Sequence, residues 1–229
     1  MIKKTLLISL CLTVVMTAVN YYSLTYKTTV FRKSDFTVVI DPGHGGIDPG
    51  VTGVKTGEKE STLNLYLAEA LYKRFYADGI NVILTRNSEA GLYGNYSDGF
   101  KLRDLNKRVE IADKSGCDLF ISLHMNKFSD AKRRGAQVFY KAGNEKSKLL
   151  SNVIQNQLNG MEESEREFTS LAGDYYVLNK VKCAAVLIEC GFLSNEKDEK
   201  LLLTKEYREK IAHEIFYGVV SFYGKEYKT

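Results

Sequence analysis

Short apolar runs that alternate with helix-period stripes constrain the fold of this chain more than any other feature. Residues 36–40, 80–84, 118–123, 136–140, 175–178 and 184–188 are rich in β-favouring residues and bounded by turn formers, and each predicts a strand. Between them, Leu63, Leu67, Leu71 and Phe75 recur every four residues up to Asp78 and Gly79, and Leu102, Leu105, Val109 and Ala112 make a second stripe. Residues 146–158 predict a third helix. A closing helix over 205–222 carries Ile211, Ile215, Val219 and Phe222 on one face. Strands alternating with helices predict a single α/β domain, a twisted and mostly parallel sheet with helices on both faces. Ligands of such sheets sit beyond the carboxyl ends of the strands, so chemistry is expected just after Ile40, Leu123 and Ile188. Residues 88–100, with Gly91, Gly94, Gly99 and three aromatics, predict a long loop.

Composition narrows the class. The formal charge is +4, and Lys3 and Lys4 supply two of those charges, leaving too slight an excess to predict a nucleic-acid partner. From Thr5 to Tyr26 no residue is charged, and 22 residues at about 1.5 Å each match a hydrocarbon core of about 30 Å. A cleaved signal peptide and an uncleaved anchor both fit, but small residues at the two cleavage positions are hard to find. Residues 1–26 are therefore expected to be a signal-anchor or transmembrane segment and 27–35 a polar tether. Residues 36–224 are expected to form the folded domain and 225–229 a polar tail. With Cys11 in the apolar segment, Cys117, Cys183 and Cys190 remain, an odd number in unlinked contexts. They predict buried small thiols rather than a disulfide framework.

Three of the predicted strands end in ionisable residues. "VVIDPGHGGIDPG" leads to His44, "FISLHMN" holds His124, and "AVLIECGFLSN" holds Glu189. Such groups after Val, Ile and Leu are poorly solvated unless something compensates them, and a metal ion can do so. Near the His44 loop, "TGEKESTLNLYLAEAL" supplies Glu58 and Glu60. One could complete a ligand set while the other only favours the helix N-terminus through its dipole. Two histidines and one carboxylate leave a position open, as in catalytic zinc sites. The glycines around His44 would let metal and substrate approach it closely. Asp41, Asp48 and Asn126 are candidates for orienting ligands, with turn stabilisation as the alternative for Asp48. His213 reads as a surface or packing residue. Arg103, Asp104, Lys107 and Arg108 read as surface pairs, and Lys132, Arg133 and Arg134 as a basic, solvated turn.

The motifs "VVIDPGHGGIDPG", "EKESTLNLYLAEAL", "LRDLNKRVEIADKSGCDLFISLHMN" and "YYVLNKVKCAAVLIECGFLSN" occur in order. Together they resemble the zinc-dependent N-acetylmuramoyl-L-alanine amidases of the bacterial cell wall, over about residues 35–223. The resemblance implies one zinc ion per chain held by His44, Glu58 and His124, with Glu189 as the catalytic acid and base. Glu58 is chosen over Glu60 because the family's liganding acid precedes a lysine, as Glu58 precedes Lys59. Cys190 departs mildly from the small or apolar residue that usually comes after the catalytic glutamate. The implied reaction is hydrolysis of the amide between the lactyl group of N-acetylmuramic acid and L-alanine in peptidoglycan. A zinc peptidase of the stem peptide and a non-catalytic wall-binding module are the rival readings.

Within that family the chain resembles the sporulation amidases. This implies a membrane-anchored, extracytoplasmic enzyme, or a cleaved secreted form, working on spore-cortex peptidoglycan. A muramic acid deacetylase would act next, giving the muramic-δ-lactam needed for germination. The stretch from His124 to Glu189 is taken up by strands and a helix, leaving no room for the long inhibitory helix found in some family members. Control is then expected from expression timing or from a dedicated activating protein.

Overall fold

A computed structural model describes residues 36–226. The expected anchor at 1–26 and the tether at 27–35 lie outside the described residues. Among the described residues, no helix is long and apolar enough to cross a membrane.

The sheet forms because its central strands are apolar on both faces, as strands covered on two sides must be. Every residue of β6 (Ala184–Phe192) is buried, and β3 (Leu119–Asn126) is buried over its first five residues. With β1 (Thr37–Pro42), β2 (Asn81–Leu84), β4 (Gln137–Tyr140) and β5 (Leu171–Ala172) they give the order β2-β1-β3-β6-β4-β5. Pairings of β1 with β2 and β3, of β3 with β6 and of β4 with β5 are parallel. β4 runs antiparallel to β6, which makes the sheet mixed.

Helices cover the sheet. α1 (Glu60–Ala77) and α3 (Glu145–Asn159) lie on the strands, and α6 (Lys205–Glu226) packs on both of them. α2 (Phe100–Ser115) and the short α4 (Tyr176–Lys180) close the other side. There Ala112, Val177 and Leu178 join Val39, Phe120, Ala185 and Leu187 in one apolar cluster. Glycine brackets α2, with Gly99 at φ +75° before it and Gly116 at φ +62° after it. Asn195 caps α5 (Glu196–Leu202) by accepting hydrogen bonds from the Lys197 and Asp198 N–H groups.

Three expectations change. Residues 175–178, expected as a strand, instead form the N-cap, Tyr175, and the first residues of α4. Asn179 N–H donates to Tyr175 O and Val181 N–H to Val177 O, the helical spacing, because Val177, Leu178 and Val181 all reach the same apolar cluster. A four-residue apolar run cannot announce its period, which is why the two readings compete. The final helix reaches Glu226 rather than stopping at Phe222. Arg108, expected on the surface, is 2% exposed. The two-residue β5 and the polar α5 had no apolar pattern to predict them.

Core packing predicts a clear contrast in stability. Phe120→Ala empties a fully buried position and should cost about 3–5 kcal/mol. Tyr76→Ala removes a side chain that is 66% exposed and should stay within about 0.5 kcal/mol. Urea unfolding measures both, and equal losses would contradict this core assignment.

Candidate metal and acid site

The site forms where β1, β3 and β6 end together. In the β3–β6 ladder His124 lies directly opposite Glu189, so both side chains leave the same face of adjacent strands. That face also carries Asp41, whose carboxylate accepts hydrogen bonds from Thr85 Oγ1 at 2.6 Å and Ser122 Oγ at 2.8 Å.

His44 sits just past β1 with φ +61°, the one non-glycine residue at positive φ among those described. Histidine tolerates this region better than β-branched residues do, but the conformation must still be held in place. Two buried arginines hold it. Arg108 donates to Pro42 O at 2.7 Å, to His44 O at 2.6 Å and to Asp41 at 2.6 Å, and its Nε donates to Asp104 at 2.5 Å. Arg86 donates to Pro42 O and Gly43 O at 2.9 Å each, and also to Ser61 O at the start of α1. Three consecutive carbonyls thus accept charge-assisted hydrogen bonds, each stronger than a neutral one. Burial opposes ionisation of Asp41, but the Arg108 charge together with the hydrogen bonds from Thr85, Arg108 and Ser122 outweighs it and holds the carboxyl below its ordinary range. Burial and the charge of Arg108 push Arg86 down to about 10, so it stays charged at neutral pH.

Glu60 joins the two imidazoles. Its Oε1 lies 3.2 Å from His44 Nε2 and 2.9 Å from His124 Nδ1, and the two rings meet edge to face with centroids 5.0 Å apart. Val51 N–H, Met125 N–H and Asn64 Nδ2 also donate to this carboxylate. Asp48 accepts from His44 Nδ1 at 3.0 Å and from Gly50 N–H, so it both orients the ring and shapes the turn. Burial disfavours the charged form of His44, yet its hydrogen bonds to Asp48 and Glu60 lift it to about 9. Burial likewise opposes ionisation of Glu60, and the two histidines overcome it, keeping the carboxyl well below its usual range.

The close approach depends on small residues. A Cβ at Gly43 would stand 2.2 Å from His124 Cε1, and one at Gly50 would stand 2.3 Å from Glu60 Oε2. Beside this cluster Glu189 is 8% exposed, and its Oε2 is buried without a hydrogen-bond partner. Burial raises it to about 7, with the His124 charge opposing and the Glu60 charge assisting. A buried, unpaired carboxyl oxygen carries a desolvation penalty, and such strained acids mark functional sites. A cavity of about 310 Å³ opens on His44 and His124, with Tyr93, Phe100, Lys101 and Tyr175 among its walls.

The structure thus gathers His44, His124 and Glu189 as the sequence suggests, but brings Glu60, not Glu58, to the histidines. Donor atoms of His44, Glu60 and His124 all lie within 4.8 Å of one another, close enough to share an ion. Glu58 is half-buried in the preceding hairpin, beyond the Thr52–Lys59 bridge, and its carboxylate accepts from the Lys59 N–H. A signal for Glu60 was present. It falls three and seven residues before Leu63 and Leu67, on the buried stripe of α1, whereas Glu58 precedes the helix.

Other expected roles also resolve. The Asn126 side chain accepts from Lys127 N–H and touches no ligand candidate. Arg133 stacks 4.6 Å from the Phe128 ring centroid, and Arg134 pairs with Asp198 and Glu165, so the basic run is largely engaged. His213 contacts Arg74 and stacks on Tyr217. Cys190 is fully buried, its thiol directed at Ile188 O.

An α/β domain with two imidazoles and a carboxylate converging beside a raised acid could hold a divalent ion next to a proton carrier. In comparison with known proteins, the N-acetylmuramoyl-L-alanine amidase family profile matches residues 38–221, and the chain belongs to that family. A germination-specific N-acetylmuramoyl-L-alanine amidase of Bacillus subtilis is 34% identical over 190 residues, covering 81% of this chain and 79% of that protein. The Escherichia coli amidase AmiA is 30% identical, covering 81% and 75%. Among solved structures, the CwlD amidase of Clostridioides difficile, in complex with the GerS lipoprotein, superposes with a TM-score of 0.79 at 36% identity. That match covers 83% of this chain and 99% of the other.

The arginine cradle makes a prediction. Arg108→Met leaves Asp41 buried without its cation and should lower stability by about 3–5 kcal/mol. The sign with pH is fixed by the depressed Asp41 carboxyl. Its contribution is complete above the ordinary carboxylate range and is lost as pH falls through the folded-state value. Stability should therefore fall below about pH 4 more steeply in the native chain than in Asp41→Asn. Identical acid limbs in denaturant melts would contradict the pairing.

Proposed function

We propose that this chain hydrolyses the amide bond between the lactyl group of N-acetylmuramic acid and L-alanine in peptidoglycan, with a zinc ion held by His44, Glu60 and His124. The observation that carries this reading is the convergence of two imidazoles and a buried carboxylate beside Glu189. The donor set suits zinc, with two nitrogens, one oxygen and room for a further ligand on the cavity side. Bound there, zinc would supply Lewis acidity, polarising the scissile carbonyl and acidifying water.

The chain's own residues supply the rest. Glu189, with its free oxygen, accepts the proton of the attacking water and returns it to the departing alanine nitrogen. Asp48 keeps the His44 ring turned toward the site, and the Met125 N–H keeps the Glu60 carboxylate between the rings. Aromatic walls at Tyr93 and Tyr175 give the sugar a surface to lie on, and Lys101 offers a cation to the acidic stem peptide. No covalent intermediate is needed, because no nucleophile here has a histidine to spare as base.

The kinship with a germination-specific amidase and with CwlD favours action on spore cortex. On this reading the stem peptide is removed so that a muramic acid deacetylase can act next and the δ-lactam can form. The substrate places the chain outside the cytoplasm, where an anchor at residues 1–26 would hold it to the membrane. A protein partner that activates it is favoured by the CwlD–GerS complex.

Three measurements test the assignment. Glu60→Gln should lose at least tenfold in zinc affinity while Glu58→Gln keeps it. Zinc retained by Glu60→Gln and lost by Glu58→Gln would reverse the ligand choice. Glu189→Ala should retain zinc but lose about 10²–10⁴ in turnover. Products carrying free L-alanine amino termini on intact glycan strands mark an amidase, whereas cleavage inside the stem peptide would mark a peptidase.

A further inference from the structure

Cys117 and Cys183, expected to be unrelated buried thiols, meet in the folded chain. Cys117 comes directly after Gly116, the left-handed residue that ends α2, and Cys183 immediately precedes β6. Leu119 pairs with Ala184 in the β3–β6 ladder. Carried past the strand ends, that register would set Asp118 beside Cys183 and Cys117 on the diagonal. From strand dimensions that diagonal is about 5.8 Å between Cα atoms, inside the span of roughly 4.4–6.8 Å over which disulfides form. Both thiols pack half-buried against the apolar cluster containing Phe120 and Ala185, and each shifts the other's ionisation.

We propose that Cys117 and Cys183 form a disulfide once the chain is outside the cytoplasm, tying together the N-terminal ends of the two strands whose other ends carry His124 and Glu189. The oxidant is an external disulfide, from a disulfide oxidoreductase or a small molecule. The Cys117 thiolate attacks one of its sulfurs, giving a mixed disulfide and releasing one thiol. Cys183 then loses its proton and attacks the Cys117 sulfur, forming the new S–S bond and expelling the second thiol. Two electrons pass to the external disulfide, and the two protons end on the released thiols. The same steps balance with the roles of the two thiols exchanged. Cys190, fully buried on β6, takes no part.

The proposal rests on extracytoplasmic placement, not on turnover. Closing a loop of roughly 65 residues should raise the Tm by about 10 °C. The site, at the far end of the strands, should turn over equally in both redox states. The full chain, purified without reductant and exposed to oxidised glutathione, is digested under non-reducing conditions and mapped by mass spectrometry. A peptide linking Cys117 to Cys183, and a Tm that falls by about 10 °C with dithiothreitol in the native chain but not in Cys117→Ser or Cys183→Ser, is expected. Both cysteines recovered as alkylated free thiols, either one linked elsewhere, or a Tm indifferent to reductant would overturn the cross-link. Should the serine variants fail to fold, peptide mapping of the native chain decides alone. Hydrolysis of peptidoglycan, assayed on the same samples, separates failure of the cross-link from failure of the proposed activity.

Discussion

Two guanidinium groups buried beneath the His44 loop are the constraint on which the site depends. Arg86 and Arg108 together hold the carbonyls of Pro42, Gly43 and His44. Without them, a non-glycine residue at φ +61° would relax to a more populated conformation, and its imidazole would leave the site. Arg86 also binds Ser61 O, so the same group fixes the helix start that delivers Glu60. One charged cluster thus places two of the three candidate ligands. Arg108, Asp41 and Asp104 of that cluster also line the cavity that opens on His44 and His124.

Sheet register provides the remaining part. Parallel pairing of β3 with β6 puts His124 opposite Glu189, and no loop intervenes between ligand and acid. A slip of β3 by one residue against β6 would turn His124 to the face opposite Glu189 and part the two groups. Strand register therefore sets the geometry of the pair. Burial, which costs nothing for Ile188 or Leu123, is what raises Glu189 to about 7 and gives it a proton to exchange near neutrality.

Much of this was legible in the sequence. Doubly buried strands announce themselves as continuous apolar runs, and in α/β sheets the chemistry gathers at their carboxyl ends, which is where His44, His124 and Glu189 stand. The failures have physical causes. Residues 175–178 are too few to display a period, and their neighbours in space made them helical. A place before a lysine favours Glu58, although the α1 stripe already marks Glu60 as inward-facing. Arg108 reads as a surface charge because its partners are backbone carbonyls and an aspartate 67 residues away, contacts that leave no local pattern. That Cys117 and Cys183 pack against one apolar cluster was hidden in the same way, since only strand pairing brings their segments together.

Anomalous diffraction at the zinc edge from crystals of the metal-loaded chain tests the central claim most directly. A single peak about 2.0–2.2 Å from a nitrogen of His44, a nitrogen of His124 and a carboxylate oxygen of Glu60 is the predicted result. Zinc-loaded crystals with no peak between those three side chains, or with the ion carried by other residues, would contradict it.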